Sequence, residues 1–176
     1  MTTQTQYALA QAIGQIDRVG TELGWLTSVT RRAVEYRNQR TGAVREQQAR
    51  LDRATGGLCL VYVFAAFEQA IDLFRSLPEL LQEVDRVTGS AELRERILAY
   101  RHLRHVAAHG FEGERSSIRT HASEFERVHD SGQLPNIRWD RAADRVEIDP
   151  SAWMEARDLL REAASKILNS PEARKV

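Results

Sequence analysis

Leu58-Cys59-Leu60-Val61-Tyr62-Val63-Phe64-Ala65-Ala66-Phe67 is the longest apolar run in this chain of 176 residues. It is too short to span a bilayer, which takes about 20 residues. It extends toward Leu77 as the most hydrophobic element of the chain, with Gly56-Gly57 expected to open it and Pro78 to stop it. Apolar residues cover nearly its whole circumference, the mark of a helix enclosed by others on every side. A central helix of this kind calls for a bundle around it.

The flanking sequence supplies that bundle. On the N-terminal side Leu9, Ile13, Ile16, Val19, Leu23 and Leu26 recur at three- and four-residue steps, which predicts an amphipathic helix. Gly14, Gly20 and Gly24 weaken it by roughly 1 kcal/mol each relative to alanine. Thr30 to Arg53 is polar and rich in Arg and Gln, and either prolongs this helix or breaks it near Thr41-Gly42. On the C-terminal side a short helix from Glu79 to Val87 ends at Thr88-Gly89. Ser90 caps the next, from about Ala91 to His109, closed by Gly110. A weak helix is expected over Ser117 to His129. Ile137-Arg138-Trp139-Asp140 and Arg145-Val146-Glu147-Ile148 alternate apolar with polar across a short turn, a β-hairpin pattern. Asp149-Pro150 then starts a last helix carrying Trp153, Ala156, Leu159, Leu160, Ala163, Ile167 and Leu168. The expected fold is all-α: an antiparallel bundle of four to six helices, one domain over 1–176, with a small hairpin insertion near 137–148 and flexible ends at 1–5 and 170–176.

Composition narrows the function. Lys and Arg total 25 and so do Asp and Glu, giving zero net charge, so a uniformly basic nucleic-acid surface is not indicated and any anion site must be local. The single Cys59 argues against a disulfide scaffold or a zinc-thiolate site. Met1 to Gln6 is polar and lacks a signal-peptide core, so a cytoplasmic, non-membrane protein is expected.

Chemistry concentrates in Tyr100-Arg101-His102-Leu103-Arg104-His105-Val106-Ala107-Ala108-His109-Gly110, which holds three of the five histidines. At 100° per residue Tyr100, Leu103, Val106 and Ala107 face the bundle. Arg101, His102, His105 and His109 form a polar stripe on the other side, with Arg104 at its edge. Such a stripe meets solvent, a ligand or a second subunit. Three uses compete. His105 and His109 have the i,i+4 spacing of zinc-binding helices, but no Glu lies between them and a third ligand would have to come from elsewhere. Arginine holding phosphate beside histidines that move protons near neutral pH suits a phosphodiester site. A plain polar face, with His109-Gly110 as a helix end, is the third.

Arg104-His105-Val106-Ala107-Ala108-His109 is an Arg-x4-His pattern with a polar residue after the arginine, late on a helix and followed by glycine. It resembles the signature of HEPN-domain ribonucleases, which are all-α bundles. Leu60 to Ala70, with Phe67-Glu68 at its centre, is similar to the apolar helix of the RiboL-PSP branch of that family. The resemblance covers Leu58 to Gly110 and the terminal helices. It implies an endoribonuclease that needs no metal or other cofactor, with a composite active site where two subunits of a homodimer meet. Arg104 would bind the scissile phosphate and His109 would act as general base or acid in attack by the RNA 2′-hydroxyl. His105, in the polar position after the arginine, would orient the site or share proton transfer. Arg101, His102 and Glu68 are the candidate substrate-binding neighbours; Glu68 either bonds the motif arginine or is satisfied within the core. The resemblance further implies a prokaryotic defence or toxin–antitoxin setting with RNA as substrate and an antitoxin or defence-system partner. A non-catalytic module binding RNA, nucleotide or a protein partner at the dimer groove is the alternative. In the toxin branch paired with a minimal nucleotidyltransferase, a tyrosine lies two residues after the histidine; here that position is Phe111, so regulation through it is not supported. His121 and His129 read as ordinary surface residues, and Trp25, Trp139 and Trp153 as core or interface anchors.

Overall fold

The structure, a computed structural model, describes residues 3–38, 44–71, 76–111, 116–142 and 145–171. They form helices α1 (Thr3–Asn38), α2 (Val44–Ile71), α3 (Leu77–Thr88), α4 (Glu92–His109) and α5 (Ser116–Asp130), strands β1 (Ile137–Asp140) and β2 (Arg145–Ile148), and helix α6 (Pro150–Leu168). This is the helical bundle with a small antiparallel hairpin that the apolar periodicities imply. Helices α1, α2 and α6 pack on one another, α4 lies against α2 and α6, and α5 covers the outer side of α4. Tyr100, Leu103, Phe64, Phe67, Phe125, Ile16 and Leu160 are among the most deeply buried side chains and bind these helices into one core.

Helix ends follow local chemistry. Asp149 accepts the Ser151 N–H at 2.8 Å and Pro150 fills the first turn of α6, where its missing donor costs nothing. Gly89 closes α3 at φ 66°, a left-handed conformation that glycine adopts without Cβ strain. Ser90 Oγ accepts the Glu92 N–H at 3.2 Å at the start of α4. In the hairpin, Ile137 pairs with Ile148 and Trp139 with Val146, so its apolar residues share one face and turn it to the core.

Several expectations are corrected. Gly56-Gly57 does not open the apolar helix: α2 begins at Val44 and runs through the pair. A Cβ on Gly56 would lie 2.3 Å from the Ile148 carbonyl oxygen, so glycine is there to let the hairpin approach. Nor does Pro78 stop that helix: Ser76 is already extended, and Pro78 sits in the first turn of α3. Helix α2 is not enclosed on every side either, because Leu58 and Tyr62 are 65% and 56% exposed. The apolar stripe of α1 is buried at Leu9, Ile16 and Val19 but reaches solvent at Trp25 and Leu26, so Trp25 is not a core anchor. The possible break near Thr41-Gly42 lies outside the described residues, between α1 ending at Asn38 and α2 starting at Val44. No helix among the described residues is long and apolar enough to cross a membrane.

Candidate functional site

Helix α4 carries the site and is anchored from below. Buried Leu103, Tyr100 and Ile97 fill the core, and Arg96 donates to Glu155 of α6 at 2.9 Å. Ala107, expected on this inner face, is exposed; Ala99 is fully buried instead. At the far end the Gly110 N–H bonds the Val106 carbonyl at 2.8 Å and its φ of 73° turns the chain away, leaving His109 exposed at the helix terminus.

The polar side of α4 divides in two. Toward α2, Arg104 donates to Glu68 through Nη2 at 2.9 Å and Nη1 at 3.5 Å, a forked pairing that fixes the plane of the guanidinium. Arg101 Nε stands 3.9 Å from the same carboxylate. The Arg104 guanidinium also lies 5.9 Å from the centre of the Phe64 ring. Glu68 thus gathers both arginines, in surroundings where its side chain keeps 21% exposure and that of Arg104 18%. Such a pair is sheltered enough to resist salt and open enough to meet a ligand at its outer edge.

Toward α5 the side chains are imidazoles. His102 Nδ1 and His121 Nδ1 are 2.9 Å apart, and His121 stacks on His105 with ring centres 3.7 Å apart and planes within 6°. His109 follows with its ring 6.1 Å from that of His105. The stripe therefore does not simply face away from its own bundle, as the helix rotation alone suggested, because α5 lies over its middle. Burial, then the neighbouring His121 and Arg101, pushes His102 down to about 4 against the opposing pull of Glu124. Burial, then His121, Arg104 and Arg101, pushes His105 down to about 4 as well. His121 is lowered by burial and by the same two arginines. Cations packed beside partly buried rings disfavour a further positive charge, so these three rings are neutral at physiological pH. The short Nδ1–Nδ1 contact requires at least one of His102 and His121 to be neutral, since one nitrogen donates and the other must be bare. His105 Nε2 is buried without a hydrogen-bond partner among the described residues.

Of the six expected site residues, Glu68, Arg101 and Arg104 meet on the α2 side of α4, His102 and His105 lie on its α5 side, and His109 is exposed at its end. His121 was missed, since it lies in a segment that reads as polar surface. The signal was its step of four to Phe125, with Ala122 beside it and Val128 following, the buried face of α5. His129 is not plain surface either; it meets the Trp139 ring edge-on with centres 5.8 Å apart. Phe111 stacks on Trp139 at 5.1 Å, tying the chain after α4 to the hairpin. Among the described residues no group of three or more His, Cys, Asp or Glu side chains is arranged to hold a metal ion. Protein-family models, curated proteins and solved structures give no match to this chain.

Proposed function

We propose that the protein is a HEPN-type endoribonuclease that cleaves RNA without a metal, and that two copies join to complete its site. The observation that carries this reading is the meeting of a carboxylate-oriented arginine with a bank of neutral imidazoles on one helix end. Arg104 offers planar N–H donors suited to a phosphate. His109, exposed at the end of α4, takes the proton of the 2′-hydroxyl; the O2′–P bond forms and the P–O5′ bond breaks. The leaving oxygen takes a proton back from His109, protonated in the first step, giving a cyclic phosphate and a free 5′-hydroxyl. His105 supports that proton transfer, and Arg101 and His102 border the substrate. Within one copy Arg104 and His109 diverge by about 140° around the helix. A facing copy would close that gap by lending its own pair. Exposed Leu58 and Tyr62, one turn apart on α2 and on the helix of Glu68, offer apolar area for such a pairing.

A second reading has an observation of its own. Glu68 already neutralises Arg104, so the groove can serve as a non-catalytic module that binds RNA, nucleotide or a protein partner once that pair opens. A cytoplasmic setting in prokaryotic defence or a toxin–antitoxin pair, with an antitoxin as regulator, accompanies the enzyme reading through the family resemblance alone.

The test is RNA cleavage in EDTA by wild type, Arg104→Ala and His109→Ala. Cleavage by wild type with at least roughly 100-fold loss in each variant supports the enzyme. Absence of cleavage by pure wild type on any RNA, alongside retained RNA binding, supports the module. Activity that disappears with chelator overturns the metal-free mechanism. Mass in solution gives the second arm: a strict monomer leaves the composite site unbuilt.

A further inference from the structure

The histidine that the motif does not contain sits at the centre of the imidazole bank. His121 comes from α5, yet it touches His102 through a hydrogen bond and His105 through a face-on stack. No other described residue bridges those two rings, and without it the two histidines of α4 would only neighbour each other along the helix. Its placement also explains an oddity of the site. The His105 Nε2 atom is buried without a hydrogen-bond partner among the described residues, and His121 holds the ring through its face. Around it stand Arg101, Arg104 and His109 from α4 and His121 from α5, while Glu68 of α2 is engaged by the arginines. Glu124 and Arg127 of α5 act on the His102 end of the bank.

We propose that His121 is a positioning residue of this site, whose stack on His105 and bond to His102 fix the plane and the uncharged form of the His105 ring. Two stacked imidazolium rings repel, and two facing Nδ1–H groups cannot bond, so neither contact of His121 survives when both of its rings are charged. A neutral His105 on the arginine side can accept a proton without competing with Arg104 for the phosphate. This role in proton transfer rests on the ribonuclease reading; the effect of His121 on its neighbours does not.

The experiment separates the two. Ring NMR signals of the histidines are followed against pH in the full-length wild type, His121→Ala and His121→Phe. In wild type His105 titrates near 4. In His121→Ala water reaches the exposed ring face and the His105 midpoint climbs toward the ordinary value of about 6.5. In His121→Phe the flat ring keeps His105 low, while His102, deprived of its bond, titrates at a changed pH. Cleavage of RNA by His121→Ala falls roughly 10-fold to 100-fold in kcat with KM held within about twofold, and the acid limb of the pH profile moves upward. If the His105 midpoint in a folded His121→Ala equals that of wild type, the proposal is overturned. Should that variant fail to fold, His121→Phe decides: unchanged midpoints at both His102 and His105 overturn it equally. A wild type that cleaves no RNA removes the ribonuclease reading alone, and the midpoints still judge His121.

Discussion

Mild acid should loosen this fold through its histidines. His102 and His105 bind a proton near 6.5 in an unfolded chain and near 4 in the folded one. The unfolded chain therefore holds more protons between those values. Stability is complete above about 6.5 and declines as pH falls toward about 4. Each ring would cost about 3 kcal/mol over that span at full strength, and screening by water at these half-exposed positions cuts it to about 1 kcal/mol. The two together lose roughly 1 to 1.5 kcal/mol by pH 5, which lowers Tm by roughly 2 to 6 °C for a chain of this size. Asp130 and Asp149 do not contribute in this window, because hydrogen bonds from Arg141 and Ser151 hold both carboxyls below their ordinary value. Thermal unfolding followed by circular dichroism at pH 7 and pH 5, at fixed ionic strength, measures the decline. The double variant His102→Gln/His105→Gln should show a flatter response. Equal Tm values at the two pH values in wild type, or an undiminished decline in the double variant, would refute the reasoning.

Other outcomes follow from single contacts. Gly56→Ala drives a methyl against the Ile148 carbonyl and should cost about 1 to 3 kcal/mol in urea unfolding, whereas Gly14→Ala, with open space around it, should be neutral or stabilising. Glu68→Ala leaves two arginines without their shared carboxylate; a loss of about 2 kcal/mol, between the values for exposed and buried pairs, is expected in the same assay. Glu68→Gln releases charge on Arg104 and should tighten RNA binding in a filter or anisotropy titration, with a steeper salt dependence. Asp149→Ala removes the cap of α6 at a cost of about 1 kcal/mol, and Asp149→Ser should recover most of it.

The elements most legible in the sequence were those set by local chemistry. The two strands match the alternating tetrapeptides residue for residue, and α6 starts at the Asp149-Pro150 signal, because turn and cap preferences act over a few residues. The extent of α2 was not legible. Gly56-Gly57 looks like punctuation, and only a carbonyl arriving from β2, some ninety residues on, gives it a packing role. The exposure of Leu58 and Trp25 was hidden for a related reason: periodicity tells which face is apolar, not whether a partner reaches it. In the site, residues on one helix could be placed by rotation, and Glu68 was among the residues that could bond Arg104. The overlay of α5 could not be placed that way. His121 lies sixteen residues from His105 across a chain reversal, and neither its type nor its spacing announces the stack.

The packing of α1 against α6 has a bearing on how fast the chain folds. Leu9, Ala12 and Ile16 of α1 share their core with Ala156, Leu160 and Ala163 of α6, so this core closes only when both helices are in place. Contacts between elements more than a hundred residues apart put a large loop-closure cost ahead of the packing they reward, so docking of α6 on α1 is expected to limit the folding rate.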